Sequence, residues 1–519
     1  MINNPILPGF NPDPSICRVD EDYYIATSTF EWFPGVQIHH SRDLVNWRLL
    51  GHALNETRLL DLKGVPSSGG VWAPALSYSD GLFYLCYTVV HQHEAATKDT
   101  PNFLITAPSI EGPWSEPVFV NSSGFDPSLF HDEDNKKYWL NMIWDHRPGK
   151  HPFYGIAIQE YDLPSGSLIG NREIIFKGSS LGLTEGPHIY RRNGYYYLLT
   201  AEGGTEYDHA VSLARSRDIF GPYEIHPNNP ILTSSGNPEL KLQKAGHASL
   251  VETPQGEWYM PHLCGRPLPD SKNCNLGRET AIQKVEWHQD NWLYLAGGEN
   301  QPKMEVPAPN LKPHPWPALA DRLPFDSPHY ATPRGPSSSV MPEPNSLTLH
   351  GAESLESNFE QAMLARRLTS QNLTATTKIS FKPENFQQMA GLAAYYNTYL
   401  FHYLYLSMDE EKGLCLQIHS CDDGKSNFPL GGEIIPVSNN ELFLRASFND
   451  KRLQFYYSHC GQDFLKIGPV LDASILSDDH GEHWGFTGTF LALTCQDLTG
   501  KKLPATFEFL ELCNNQKPG

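Results

Sequence analysis

Short apolar runs separated by polar turns fill the first three hundred residues of the chain. One pattern occurs five times: a small or proline-containing start, an apolar pair, a polar turn and an aromatic-rich run. The five segments are DPSICRVDEDYYIATST from Asp13, APALSYSDGLFYLCYTV from Ala73, DPSLFHDEDNKKYWLNMIW from Asp126, GPHIYRRNGYYYLLTAE from Gly186 and HASLVETPQGEWYMPHL from His247. Two short strands around a polar turn are typical of a β-hairpin. Each segment therefore predicts one hairpin.

The spacing of these hairpins predicts a β-propeller. Their starts lie 60, 53, 60 and 61 residues apart. A second, weaker pattern occurs later in the units, for example SRDLVNWRLLGHAL at 41–54, and it predicts further strands. Each unit therefore holds about four strands. Four-stranded repeats of even length are typical of propeller blades. We predict a five-bladed β-propeller over residues 1–305; a β-sandwich of the same length is the alternative, but it does not explain so even a repeat.

The composition changes after the fifth repeat. Residues 306–345 are dense in proline, which favours extended connectors over sheet interiors, so a linker is predicted there. Over residues 346–519 at least seven alternating strands follow, from SLTLHG to TFEFLEL. They predict a β-sandwich of the lectin-like or jelly-roll type. The fold class is all-β, and the second domain is either a separate carbohydrate-binding module or a lid that helps close the site of the first.

Charge and cysteine content limit the partners and the cellular compartment that the chain is expected to have. The 519 residues carry a formal charge of −20, which argues against nucleic acid or an anionic membrane as a partner and suits a neutral substrate. No apolar run is long enough for a membrane span, and the N-terminus lacks the pattern of a signal peptide. The nine cysteines are odd in number and scattered, which favours reduced thiols in a cytoplasmic protein.

The candidate chemistry lies where the hairpins begin. Innermost propeller strands converge on one axis, so the first residues of the five hairpins are expected to meet. They are Asp13, Trp72 with Ala73, Asp126, Glu185 with Gly186, and His247. A structural position in a repeat usually keeps one residue type, so this chemical variety favours a site. The alternative is that each Asp-Pro-Ser sequence only caps a strand.

Three carboxylates with aromatic neighbours fit glycoside hydrolysis. One carboxylic acid protonates the leaving oxygen, a second carboxylate activates water or attacks the sugar, and a third raises the pKa of the acid. Calcium binding by the carboxylates and His247 is the rival interpretation, but the ligands come one per blade and no compact binding loop accompanies them. We therefore predict no required cofactor and no catalytic metal, and we keep a divalent ion near His247 as the alternative.

Several long motifs carry a resemblance to a known family. NPILPGFNPDPSI, GGVWAPALSY, FDPSLFHDED, GLTEGPHIY, AGHASLVET and LGRETAIQKVEW resemble the β-xylosidases of glycoside hydrolase family 43, and the resemblance covers essentially the whole chain. It implies a propeller that carries the site, a C-terminal sandwich and an inverting mechanism. By this resemblance Asp13 is the general base, Glu185 is the general acid, and Asp126 tunes the pKa of the acid and orients it.

The resemblance also implies the residues that bind the sugar. Arg278 would bind hydroxyls and influence the carboxylates, and His247 would lie on the axis beneath the sugar. The wall of the glycone pocket would consist of Phe30, Trp72, Trp144 and Thr205. A loop of the sandwich, WGFTGTF, would add either Phe486 or Phe490 to this wall.

Together these observations predict an inverting, exo-acting β-1,4-xylosidase with α-L-arabinofuranosidase side activity. It would release xylose from the non-reducing ends of xylo-oligosaccharides and form a homo-oligomer, either a dimer or a tetramer. A dedicated α-L-arabinofuranosidase is the nearest alternative. A sugar-binding propeller without turnover is the alternative from another class, and the three intact carboxylates argue against it.

Overall fold

The computed structural model describes residues 1–483 and 485–515. Within these ranges the chain is built of β-strands, with a single short 3₁₀ helix at Ala473–Ile475. No helix in the described part of the chain is long and apolar enough to cross a membrane. The all-β prediction is confirmed.

Between Ser15 and Leu295 the chain forms five successive sheets of four or five strands. Strand β1 (Ile2–Asn3) precedes them. The first sheet holds β2 (Ser15–Val19), β3 (Asp22–Thr27), β5 (Gly35–Ser41) and β6 (Arg48–Leu54), while β4 (Trp32–Phe33) lies outside it. The second holds β7 (Gly70–Ser79), β8 (Leu82–Val90), β9 (Asn102–Ala107) and β10 (Val118–Asn121). The third holds β11 (Ser128–His131), β12 (Lys137–Trp144), β13 (Phe153–Asp162) and β14 (Ser167–Phe176).

The last two blades have five strands each. The fourth holds β15 (Glu185–Arg192), β16 (Tyr195–Glu202), β17 (Ala210–Ser216), β18 (Glu224–Ile225) and β19 (Leu232–Thr233). The fifth holds β20 (Gln243–Ala248), β21 (Val251–Glu252), β22 (Trp258–Gly265), β23 (Arg278–Trp287) and β24 (Leu293–Leu295). Each sheet contacts the next, and the fifth contacts the first, so the five sheets close into a propeller.

Side chains near the axis connect the innermost strands. The Ser249 hydroxyl of the fifth blade donates to the Pro14 carbonyl at 2.8 Å and accepts from the Ile16 amide at 3.0 Å. The Ser15 hydroxyl of the first blade accepts from the Leu76 amide of the second at 3.0 Å. These bonds satisfy buried backbone groups that the ladder within each sheet leaves free.

The N-terminal segment runs along the fifth blade and closes the ring. Strand β1 pairs with β25 (Glu305–Val306), Leu7 forms a bridge to Thr280, and the Asn11 amide donates to the Arg278 carbonyl at 2.9 Å. Asp13 follows two residues later, so this pairing places the first blade's carboxylate beside the start of β23.

The second domain consists of two sheets packed face to face around an apolar core. In spatial order, one sheet holds β34 (Lys425–Asn427), β33 (Gly413–Asp422), β32 (Leu400–Asp409), β31 (Gln388–Asn397), β39 (Phe490–Asp497), β29 (Ala362–Arg367) and β26 (Tyr330–Pro333), with β35 (Ile435–Pro436) paired to β33. The other holds β27 (Val340–Glu343), β28 (Ser346–His350), β40 (Pro504–Asn514), β30 (Leu373–Phe381), β36 (Glu441–Asn449), β37 (Arg452–Ser458) and β38 (Leu465–Asp472). The predicted sandwich is confirmed.

The two domains share a sheet. Strand β4, which belongs to the propeller sequence, pairs with β26 and so extends the larger sheet of the sandwich. Strands β26 and β27 lie inside 306–345, where the sequence predicts a linker, and both pair with strands of the sandwich. Pro333 ends β26, and Pro342 is the third of the four residues of β27, which lies at the edge of its sheet, where proline is tolerated.

Candidate active site

The five hairpin starts share an unusual backbone conformation. In every blade the residue has a positive φ: 54° at Asp13, 27° at Ala73, 57° at Asp126, 57° at Gly186 and 41° at His247. L-residues disfavour this left-handed region, and such strain concentrates at functional sites. In the fourth blade a Cβ on Gly186 would lie 2.8 Å from His247 Nε2, so glycine fits there and the preceding Glu185 supplies the carboxylate.

One hydrogen bond and two basic side chains surround the carboxylate of Asp13. Its side chain is buried, with 6% of the residue exposed. The Ser28 hydroxyl donates to Oδ2 at 2.6 Å, His247 Nδ1 lies 3.5 Å from Oδ1, and Arg278 Nη1 lies 3.9 Å from the same oxygen. The hydrogen bond to one oxygen and the basic groups near the other favour one orientation of the carboxylate.

Asp126 and Glu185 influence each other's protonation. The Gly186 amide donates to Asp126 Oδ2 at 3.0 Å, which ties the two carboxylates through adjacent backbone. Burial raises the pKa of Asp126 to about 6; the charge of Asp13 acts in the same direction, whereas His247 and Arg278 oppose it. Burial also raises the pKa of Glu185 well above its usual 4.5, and the charges of Asp126 and then Asp13 raise it further. Glu185 keeps a partly exposed surface, as a group facing a pocket does.

Arg278 joins three parts of the molecule at the site. At the first position of β23, its Nη1 donates to the Thr205 hydroxyl at 2.7 Å. Its Nε and Nη2 donate to the Phe486 carbonyl at 3.3 and 2.9 Å. The guanidinium lies 5.3 Å from the ring of Phe30 and 5.1 Å from the ring of Phe486, within cation–π range. The sandwich loop therefore contacts the acidic cluster through this arginine.

Three aromatic rings from different elements meet beside the carboxylates. The ring centroids of Phe30 and Trp72 lie 6.1 Å apart, and those of Phe486 lie 5.8 Å from Phe30 and 5.5 Å from Trp72. Phe490 is fully buried instead and stacks on Trp32 with centroids 3.7 Å apart. Of the two loop residues that the sequence leaves open, Phe486 is the one in the aromatic wall.

Trp144 lies farther out along the same wall. Its indole Nε1 donates to the Ala96 carbonyl at 2.9 Å, and the Lys98 ammonium lies 4.4 Å from its ring centroid. Phe125 connects it to the inner rings, with centroids 5.3 Å from Trp72 and 6.3 Å from Trp144. Trp144 is therefore linked through Phe125 to the three rings that meet beside the carboxylates.

Ser68 connects two pocket aromatics, and the sequence gives no chemical signal for it. The residue is buried with a φ of 60°. Its amide donates to Glu31 Oε2 at 3.1 Å, its carbonyl accepts from the Trp72 indole at 2.8 Å, and its hydroxyl accepts from the Phe486 amide at 3.0 Å. Burial raises the pKa of Glu31 to about 7, against the charge of Arg334.

The predicted residues come together, and a few neighbours escaped sequence reasoning. Ser28 lies in the first hairpin segment, Phe125 begins the motif FDPSLFHDED, and Ser68 directly precedes the motif GGVWAPALSY. All three residues lie in or beside recognised motifs, but none of them carries a group that marks it as part of a site. Among the described residues no group of three or more His, Cys, Asp or Glu side chains is arranged to hold a metal ion.

Comparisons with known proteins agree with this geometry. Residues 2–293 match the family model "Glycosyl hydrolases family 43", and residues 321–512 match "Beta xylosidase C-terminal Concanavalin A-like domain". The chain is 50% identical to a β-xylosidase of Bacillus subtilis, 49% to xylosidase/arabinosidase 43B of Humicola insolens and 48% to a xylan 1,3-β-xylosidase of a Vibrio species, over 97–98% of each chain. A crystal structure of xylan β-1,4-xylosidase from Bacillus halodurans superposes with a TM-score of 0.97 at 51% identity, covering 99% of this chain and 100% of that one.

An acidic cluster on the axis of a five-bladed propeller, walled by aromatic rings, defines a glycoside hydrolase. The chain belongs to glycoside hydrolase family 43. The resemblance noted in its motifs is thereby confirmed over both domains.

Proposed function

We propose that the protein is an inverting, exo-acting β-1,4-xylosidase that releases xylose from the non-reducing ends of xylo-oligosaccharides. The observation that carries this proposal is the raised pKa of Glu185 beside a firmly held Asp13, because hydrolysis needs one protonated and one ionised carboxyl group. The names of the Bacillus relatives support the substrate.

The proton transfers follow from these two environments. Burial and the charges of Asp126 and Asp13 favour the protonated form of Glu185, which gives its proton to the glycosidic oxygen as the bond from that oxygen to the anomeric carbon breaks. Asp13 takes a proton from a water molecule whose oxygen forms the new bond to the anomeric carbon on the opposite face. The sugar leaves with inverted configuration, and exchange with solvent returns the proton from Asp13 to Glu185.

Asp126 supports this cycle without bonding to the sugar. Its charge raises the pKa of Glu185, and its bond to the Gly186 amide fixes the backbone next to the acid. Arg278 and Thr205 offer donors to sugar hydroxyls, and the faces of Phe30, Trp72 and Phe486 suit the apolar C–H faces of a pentose. Every proton is carried by a side chain of the protein, so the mechanism requires no metal cofactor.

The sandwich contribution supports exo action. The Phe486 loop reaches the site from the second domain and is bound there by Arg278 and Ser68. A site that the Phe486 loop closes on one side favours binding of a single terminal sugar over binding of the interior of a polymer. A pentose-sized site also admits terminal α-L-arabinofuranose, and the name of the Humicola relative favours this side activity.

Proton NMR of the first anomer released from β-1,4-xylobiose in deuterated buffer tests the proposal. We expect α-xylose before mutarotation, and initial β-xylose would contradict inversion. The name of the Vibrio relative makes β-1,3-xylobiose the necessary comparison substrate. Faster cleavage of that isomer, or of an α-L-arabinofuranoside, would change the proposed substrate while keeping the carboxylate roles.

We further propose that the enzyme works in the cytoplasm as a homo-oligomer and without a required cofactor. All nine cysteines are free thiols, which is typical of a reducing compartment. Cell fractionation and light scattering of the purified protein test the first two statements. For the third, dialysis against EDTA should leave kcat unchanged, and a kcat that is lost on dialysis and restored by a divalent ion would contradict it.

A further inference from the structure

A second cavity lies between the first blade and the sandwich, away from the axial carboxylates. Its volume is about 410 Å³. The propeller contributes Gln37 and His39 of β5, the sandwich contributes Arg366 and Arg367 at the end of β29, and the connector contributes residues 316–321. Asp13, Asp126 and Glu185 are not among its lining residues. The cavity is therefore separate from the proposed hydrolytic site.

The lining of this cavity is basic although the whole chain carries a formal charge of −20. One carboxylate, that of the exposed Asp321, is among the lining residues. The basic lining residues are Arg48, Arg366, Arg367, His39 and His329. A local excess of positive charge in an acidic protein attracts anions to that place.

Arg367 is a buried cation with no ion pair among the described residues. It is 8% exposed, and its Nε donates to the Phe10 carbonyl at 3.0 Å. Its Nη2 is buried and has no hydrogen-bond partner among the described residues. The rings of Phe10 and Phe490, 5.4 and 5.2 Å from the guanidinium, make cation–π contacts with it but carry no negative charge. Because a guanidinium stays charged in proteins, its burial strongly favours an anion beside it.

Neighbouring groups could share such an anion. Arg366 is also buried, and its Nη1 donates to the backbone carbonyl of Asp321 at 2.9 Å rather than to the carboxylate. Burial, Arg366 and Arg367 lower the pKa of His329 to about 4. Burial and Arg367 hold the pKa of His39 well below 6.5, and its Nδ1 has no partner in the described chain. At neutral pH these two histidines are therefore uncharged hydrogen-bond donors, and they lie beside the charged guanidinium groups of Arg366 and Arg367.

We propose that this interdomain cavity binds a small polyatomic anion with phosphate or carboxylate oxygens, held by Arg367 and Arg366. Guanidinium groups recognise both kinds of oxygen, often through two parallel bonds. The bound anion would connect β5 of the propeller with β29 of the sandwich and so stabilise the docking of the two domains. The proposal does not depend on which sugar the axial site hydrolyses.

Thermal unfolding of the full chain tests this site. Inorganic phosphate and citrate are titrated separately at pH 7, with sodium chloride keeping the ionic strength constant. A saturable rise in Tm is expected, because a ligand that binds only the folded state stabilises it. The tighter of the two anions identifies the oxygen chemistry. In R366M the apparent affinity should fall about tenfold or more, since hydrogen bonds to charged groups are lost.

Two matched variants locate the binding. R172M removes an exposed arginine on β14 and should bind the anion like wild type. R278M removes the guanidinium of the axial site and should also bind it. Loss of binding in R278M but not in R366M, or no saturable rise in the wild type, would overturn the proposal. If R366M does not fold, anomalous diffraction from wild-type crystals soaked in selenate decides, because the ion must then appear in this cavity.

Discussion

Asp13 and Glu185 have different proposed roles, and the leaving group of the substrate separates them. E185Q should lose about 10²–10⁴-fold in kcat on xylobiose, whose leaving sugar needs a proton. The loss should be much smaller on 2,4-dinitrophenyl β-xyloside, whose leaving group needs none. D13N should lose similar activity on both substrates because water activation is common to them. Equal losses for E185Q on the two substrates would contradict its role as the acid.

The charge of Asp126 predicts a shift in the pH profile. Glu185 acts in its protonated form, so activity falls as pH rises through its pKa. D126N removes a charge that raises this pKa, although burial remains the larger cause. The alkaline limb of kcat/KM should therefore move to lower pH. The exposed D134N is the control; an unmoved limb in D126N would show that the charge has no such effect.

The same carboxyl group links stability to pH. A pKa raised from 3.8 to about 6 means that folded Asp126 binds its proton more tightly than the unfolded chain does. Its stabilising contribution is complete below pH 3.8 and is lost as pH rises through about 6. D126N should therefore unfold at a higher temperature than wild type at pH 7, and this advantage should shrink toward pH 4. An advantage independent of pH would point to another cause.

At the scale of elements, the Phe486 loop depends on one hydroxyl of the propeller. S68A leaves the backbone bonds of Ser68 to Glu31 and Trp72 available and deprives the Phe486 amide of its acceptor. Loss of this part-buried hydrogen bond should destabilise the loop by about 0.5–1.5 kcal/mol. We expect KM for xylobiose to rise about fivefold or more, with a smaller effect on kcat. S67A, at the adjacent hydroxyl that contacts Thr398, is the matched control and should change KM less.

The elements were predictable where local sequence determines them. Polar turns flanked by aromatic runs predicted the five hairpins and most sandwich strands, because alternation and turn chemistry act within a few residues. Strand β4 was not predictable, since its two residues pair with a strand about three hundred positions away. For the same reason the contacts of Ser68 and the choice of Phe486 over Phe490 depend on how a distant loop folds back.

At the scale of the molecule, the two domains should not separate cleanly. Phe10, Phe30 and Trp32 of the propeller share one apolar cluster with Tyr395 and Phe490 of the sandwich. A fragment of residues 1–305 would expose this cluster and lack Phe486, so we expect it to aggregate and to hydrolyse no xylobiose. Size-exclusion chromatography and activity assays check this. Co-expression with residues 306–519 is the control, and a monomeric, active fragment would contradict the expectation.

The left-handed residues that begin the five hairpins have a consequence for how new chemistry could arise on this scaffold. All five share one backbone conformation, yet they carry two aspartates, an alanine, a glycine and a histidine. The positive φ therefore does not depend on which side chain the residue carries. At one of these five positions, Ala73, the side chain is only a methyl group. Substitution of Ala73 would introduce a functional group beside the axis, so new chemistry could be added at this position without changing the strands of the blades.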